Sequence, residues 1–189
     1  MVRMCAARRC CSRCDVPHEL RSGLEIGLVQ RKICLIGATG VGKTSLVRRY
    51  VESSFSESYL ATVGVKVDRK RLEIDGQRVS LMLWDLQGEE DGQDVRMAYL
   101  RGAAGYLIVI DGTRPKTFAA AERLQQRAGT VARVPFVALV NKSDRFNEWT
   151  ESADAIARLR AARWELLFTS AKTGEGVEEA FRAIAERTV

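Results

Sequence analysis

Eight consecutive residues, Gly37-Ala38-Thr39-Gly40-Val41-Gly42-Lys43-Thr44, constrain the fold of this chain more than any other feature of its sequence. They fit the pattern G-x-x-x-x-G-K-[ST] and stand between an apolar run and a helix-forming run, the context that a phosphate-binding loop needs. The glycines let the backbone curl so that successive N–H groups face one anion, and the following helix turns its positive dipole end to the same point. Lys43 can then reach the outer phosphates of a nucleotide, and the Thr44 hydroxyl can ligate Mg²⁺. Taken alone, the loop leaves ATP and GTP equally open.

From Arg31 onward, short apolar runs alternate with longer segments of helical period, the sequence form of strand, crossover helix and parallel strand. Strands are predicted over 32–36, 63–74, 78–84, 105–110, 136–140 and 165–168. Helices are predicted over 43–52, 93–101, 115–128, 151–162 and 176–187, with Pro115 suited to a first turn. Asp75-Gly76 supplies the positive φ angles of a tight hairpin, so one edge pair should be antiparallel. The expected fold is α/β, a six-stranded and mostly parallel sheet with about five helices on both faces.

The 189 residues suffice for one domain plus an appendage, and 46% hydrophobic with 29% charged residues is a globular composition that excludes a disordered or collagen-like chain. Residues 31–189 form the expected domain. Residues 1–30 lack its patterning and are rich in Arg and Cys, so they read as a separate extension. Four of the five cysteines, Cys5, Cys10, Cys11 and Cys14, crowd into it, which argues against a distributed disulfide framework. Cys10, Cys11 and Cys14 with His18 could bind Zn²⁺ or, beside the arginines, accept acyl chains, although adjacent cysteines suit a closed tetrahedral site badly. The net charge of +6 is spread along the chain and gives no reason to expect a nucleic-acid partner. No apolar run has the length of a membrane span or the form of a secretory signal, and the expected location is cytoplasmic.

A second motif chooses the base. Asn141-Lys142-Ser143-Asp144 follows the strand predicted over 136–140, at the edge where open α/β sheets bind ligands. The Asp144 carboxylate there can accept two hydrogen bonds from guanine, at N1–H and the 2-amino group. Adenine offers neither donor, so Asp144 would be left unpaired against it. Downstream, Thr169-Ser170-Ala171-Lys172 follows the last strand, and the Ala171 N–H can meet the guanine O6. The expected nucleotide contacts are therefore Gly37, Thr39, Gly40, Val41, Gly42, Lys43, Thr44 and Ser45, then Asn141, Lys142 and Asp144, and finally Ser170, Ala171 and Lys172.

Together these residues resemble the Ras superfamily of small GTPases, most closely its Rab-like branch, over 31–187. Phe55, Tyr59 and Thr62 are similar to the first switch of that family, and Trp84-Asp85-Leu86-Gln87-Gly88-Glu89-Glu90 to the second. The resemblance implies the P-loop G-domain fold, GTP and GDP as ligands, and Mg²⁺ held by Thr44, Thr62 and Asp85. It also implies that Phe55 packs on the guanine, that Tyr59 covers the phosphates, and that Thr62 senses the γ-phosphate. Gly88 would give its N–H to that phosphate, with Lys43, Gly88 and Glu89 forming the catalytic set. An exchange factor, a GTPase-activating protein and effectors are the implied partners.

Some positions depart from the family pattern. Glu89 stands where a water-orienting Gln is usual, and a carboxylate accepts a hydrogen bond but cannot donate one to the phosphoryl group. Thr39 replaces a frequent Gly and would crowd the γ-phosphate. Gly92 replaces a common aromatic residue of the partner surface. The final residues, Ala185-Glu186-Arg187-Thr188-Val189, lack the cysteines that receive prenyl groups, so no prenyl anchor is expected. These departures suggest a divergent member, with a prokaryotic origin as one reading. The leading functional expectation is a switch that hydrolyses GTP slowly. The alternative is a GTP-binding module with negligible hydrolysis that acts as a regulatory or scaffold protein.

Overall fold

The computed structural model describes residues 28–56, 62–89, 97–149 and 153–189. Its strands are β1 (Val29–Ile36), β2 (Val65–Ile74), β3 (Gln77–Leu86), β4 (Gly105–Asp111), β5 (Phe136–Asn141) and β6 (Leu166–Thr169). Its α-helices are α1 (Lys43–Glu52), α2 (Lys116–Val131), α3 (Ala153–Ala161) and α4 (Val177–Glu186).

Strand side chains alternate between the two faces of a sheet, and here both faces are apolar. Ile33 and Leu35 of β1 enter one core, while Cys34 and Ile36 enter the other. Leu107 and Val109 oppose Tyr106, Ile108 and Ile110 in the same way along β4, which is buried throughout. The first core is closed by Leu46, Val47 and Tyr50 of α1 and by Phe181 and Ile184 of α4, and Tyr50 stacks on Phe181 with ring centroids 4.1 Å apart. Phe118, Ala121 and Leu124 of α2 close the second, together with Ala155 and Leu159 of α3. Cys34 belongs to this packing: burial pushes its thiol up to about 12, far from a reactive thiolate.

The sheet order is β2-β3-β1-β4-β5-β6, and every pair is parallel except β2 with β3. That pair turns at Asp75 and Gly76, with φ of 48° and 78°, as the dipeptide requires. Parallel strands bring their carboxyl ends to one edge. The ends of β1, β3, β4, β5 and β6 thus gather the phosphate loop, Asp85, Asp111, Asn141 and Thr169 on that edge of the sheet.

One helix differs from expectation. Of the range 93–101, only a 3₁₀ turn at Met97–Leu100 lies among the described residues, where Arg101 N–H reaches back three residues to the Ala98 carbonyl at 3.2 Å. The described α-helices number four, and residues 93–96 of the remaining range lie outside the described residues. β2 also starts two residues later than the sequence suggests, because Val63 is exposed and Gly64 takes a φ of 76°. Among the described residues no helix is long and apolar enough to cross a membrane. Residues 1–27, with the cysteines Cys5, Cys10, Cys11 and Cys14, lie outside them.

Candidate nucleotide-binding site

A cavity of about 420 Å³ opens at the carboxyl edge of the sheet, within the range of small-ligand sites. The phosphate loop forms its floor. Gly42 adopts a φ of 102°, and a Cβ there would lie 2.3 Å from Asn141 Nδ2, so both backbone angle and space demand glycine. That closeness has a cause: Asn141 Nδ2 donates to the Val41 carbonyl at 2.9 Å. The Asn141 Oδ1 accepts from Thr169 Oγ1 at 3.3 Å and from Ala171 N–H at 3.2 Å. One buried amide thus fastens the phosphate loop to the segment after β6.

Lys43 lies 6% exposed along the floor, its Nζ donating to the carbonyls of Gly37 and Ala38 at 3.0 Å each. Burial pushes its ammonium down to about 8; nearby Asp85 opposes that shift and Arg114 adds to it. An anion at this point would pull that value back up. Thr44 follows it in the first turn of α1 and donates to Asp85 Oδ2 at 2.5 Å. Thr62 Oγ1 stands 2.8 Å from Thr44 Oγ1 and donates to the same carboxylate oxygen at 3.2 Å.

Three hard oxygen donors therefore meet at one point. Asp85 is fully buried, its Oδ1 makes no hydrogen bond, and burial pushes its carboxyl up against the pull of Thr44 and Lys43. A buried carboxylate with an unpartnered oxygen among hydroxyls suits a small divalent cation, and the residues fit Mg²⁺.

At the base end, Asp144 and Lys142 line the cavity, and Ser170 Oγ donates to Asp144 Oδ1 at 2.6 Å. Ser170 itself is fully buried and acts through Asp144. The Ala171 N–H, expected to meet a guanine oxygen, borders the cavity and donates to Asn141 Oδ1 at 3.2 Å. Lys142 likewise turns inward, to Asp111 Oδ2 at 2.6 Å. Thr39, Gly40, Gly42, Lys43, Thr44 and Ser45 line the phosphate end, with Phe55, Thr62 and Gly88 beside them, while Ala171 and Lys172 border the base end. Gly37 and Val41 contribute carbonyls from behind, and Tyr59 lies outside the described residues.

Glu89 takes a different place from the one its position in the sequence suggests. Its backbone bridges the phosphate loop, with Thr39 N–H donated to Glu89 O at 3.0 Å and Glu89 N–H to Gly37 O at 3.1 Å. Its carboxylate does not line the cavity but points to α2, 3.8 Å from Arg123 Nη2 and from Arg127 Nη1. Opposite charge explains the direction.

The cavity also includes Arg48, Ser56, Leu86 and Arg145, which sequence reasoning does not single out. Behind it stands Asp111, fully buried, accepting from Thr113 N–H at 3.0 Å, Thr113 Oγ1 at 2.7 Å and Arg114 Nε at 2.8 Å besides Lys142. An acidic residue closing an otherwise apolar strand is the signal that marks it.

A model of the Ras family matches residues 32–189. The chain is 36% identical over 162 residues to Ras-related protein Rab-13 of Mesocricetus auratus, covering 82% of this chain and 77% of that protein. The Rab-13 proteins of Rattus norvegicus and Bos taurus match over the same shares at 36% and 35% identity. The chain belongs to the Ras family and is a Rab-like small GTPase of the Ras superfamily.

Proposed function

We propose that this chain binds GTP and GDP with Mg²⁺ in the cavity at the carboxyl edge of its sheet and works as a slowly hydrolysing switch. One observation carries the reading: the phosphate loop, Thr44, Thr62 and Asp144 line a single cavity, with Asp85 buried behind the two hydroxyls and hydrogen-bonded to both. Bound Mg²⁺ would neutralise charge on the phosphate oxygens. Thr44, Thr62 and Asp85 supply its protein oxygens, and Lys43 supplies the second positive charge. Thr62 belongs to the first switch and Gly88 to the second, so ligation by Thr62 and an N–H from Gly88 make both segments respond to the γ-phosphate. Phe55 and Tyr59 cover the base and phosphates from the first switch. Glu89 orients the attacking water once its side chain leaves the arginines of α2. An exchange factor, a GTPase-activating protein and effectors act on these switch surfaces in the cytoplasm.

Mass spectrometry of the nucleotide released from purified protein tests the reading. GDP or GTP is expected; adenine nucleotide, or none together with no measurable GDP binding, would sink it. A second reading, a GTP-holding regulatory or scaffold module with negligible hydrolysis, is favoured by the Glu89 carboxylate lying against Arg123 and Arg127. Steady phosphate release over many turnovers that is lost in Lys43→Ala separates the two.

A further inference from the structure

Arg114 follows β4 and lies outside every motif named above. Its Nε donates to Asp111 Oδ2 at 2.8 Å, and its Nη2 donates to the Thr39 carbonyl of the phosphate loop at 2.9 Å. The guanidinium lies over Gly40, where an added Cβ would come within 3.6 Å of Nη2 and 3.8 Å of Nη1. The anchoring carboxylate is rigid: Asp111 is fully buried and also bound by Thr113 and by Lys142. The guanidinium thus bridges the end of the sheet and the phosphate loop.

The peptide plane turns that hold into a function. In a trans peptide the Thr39 carbonyl and the Gly40 N–H point in opposite directions. A carbonyl drawn outward to Arg114 therefore sends the Gly40 N–H to the other side of the loop, and Thr39 and Gly40 both line the cavity. A cation on the carbonyl also polarises the peptide and strengthens its N–H as a donor.

We propose that Arg114 is a positioning residue for nucleotide binding: held by Asp111, it fixes the Thr39–Gly40 peptide so that the Gly40 N–H is offered to the phosphate chain. Because Asp111 also holds Lys142, the same carboxylate ties the base-binding segment to the phosphate loop. The proposal rests on the nucleotide-binding reading above and deepens it.

The test uses the whole protein loaded with a fluorescent GDP analogue and chased with excess GDP in Mg²⁺. Arg114→Ala should release the analogue about tenfold faster, the factor carried by one lost charge-assisted hydrogen bond. Arg114→Lys, which keeps a cation, should recover part of that factor. ³¹P NMR of bound GDP adds a readout that general loosening would not select, a moved β-phosphorus resonance beside an unmoved α-phosphorus. Should Arg114→Ala fail to fold, release from Arg114→Lys that is faster than the parent's, with a moved β-phosphorus resonance and an unmoved α-phosphorus, still supports the assignment. Parent-like release and resonances in either folded variant overturn it while leaving the nucleotide reading intact. A parent protein that binds no GDP overturns both.

Discussion

Asp111 closes β4 and Asp144 lies in the 3₁₀ segment that follows β5, and their surroundings give the two carboxylates different work. Asp144 is exposed and steadied by one hydroxyl, Ser170 Oγ, so its remaining acceptor capacity faces the cavity. Asp144→Asn exchanges an acceptor for an amide. GTP affinity should fall by roughly 10²-fold, as expected for two charge-assisted hydrogen bonds, while xanthosine triphosphate gains; competition binding checks both. Unchanged GTP affinity would remove Asp144 from base recognition. Asp111 is closed off from solvent. Burial pushes its carboxyl up, but hydrogen bonds from Lys142 and Thr113 outweigh that and hold it below the usual range. A lowered folded-state value contributes stability that is present above the unfolded value, about 3.9. That stability is lost as pH falls through the folded value. Asp111→Asn should therefore cost stability at pH 7 and progressively less toward pH 3, read from urea midpoints at each pH. A gap that does not narrow on acidification would mean that the ionised carboxylate is not what stabilises the fold.

Elements carry the next level, and the segment after β5 shows how packing aims a loop. Trp149 closes the 3₁₀ segment Ser143–Glu148 and is 4% exposed, against Phe146 and Phe168 at ring-centroid distances of 5.2 and 5.7 Å. It fills the space that Gly112 leaves beside β4: a Cβ on Gly112 would fall 2.0 Å from Trp149 Cε2. Gly112→Ala should dislodge the indole and loosen the segment bearing Asp144, lowering stability by about 1–3 kcal/mol and red-shifting tryptophan emission. Parent-like emission and stability would show that the indole does not depend on that space. Neither partner of this contact is legible in the sequence, because nothing in a lone Gly or Trp reveals which distant residue it meets. The strands were legible for the opposite reason. Alternation and apolar runs are local, so six strands, the antiparallel hairpin at Asp75-Gly76 and the loop around Lys43 follow from spacing alone. Where local signals compete, the reading slips: the helical period over 93–101 corresponds to a 3₁₀ turn in its described part. The candidate site divides along the same line. Lys43, Thr44 and Asp144 announce themselves by motif, whereas the inward turn of Lys142 to Asp111 depends on side-chain direction.

Across the whole molecule, the segment after β3 is joined both to the phosphate loop and to α2, and Glu89 is the joint. Its backbone is paired with Gly37 and Thr39, which fixes its Cα beside the cavity, while its carboxylate is drawn to Arg123 and Arg127. On the proposed switch reading, the nucleotide site and the outer helix compete for one side chain. Both arginines lie 3.8 Å away, and their side chains are 60% and 36% exposed, so their hold is weak, of order 1 kcal/mol or less. Neutralising them in Arg123→Gln/Arg127→Gln should release the carboxylate toward the cavity and change single-turnover GTP hydrolysis by no more than about fivefold. The direction of that change reveals what Glu89 does. A rise means that Glu89 positions the attacking water once freed, and the rise should vanish when Glu89→Ala is added, because the arginines then have nothing to withhold. A fall that Glu89→Gln reverses means that the freed charge opposes the phosphates, so that α2 protects hydrolysis by keeping the carboxylate away. Identical rates in the parent, the double variant and Glu89→Ala would detach both Glu89 and α2 from the chemical step, leaving Gln87 or a group from a partner to orient the water.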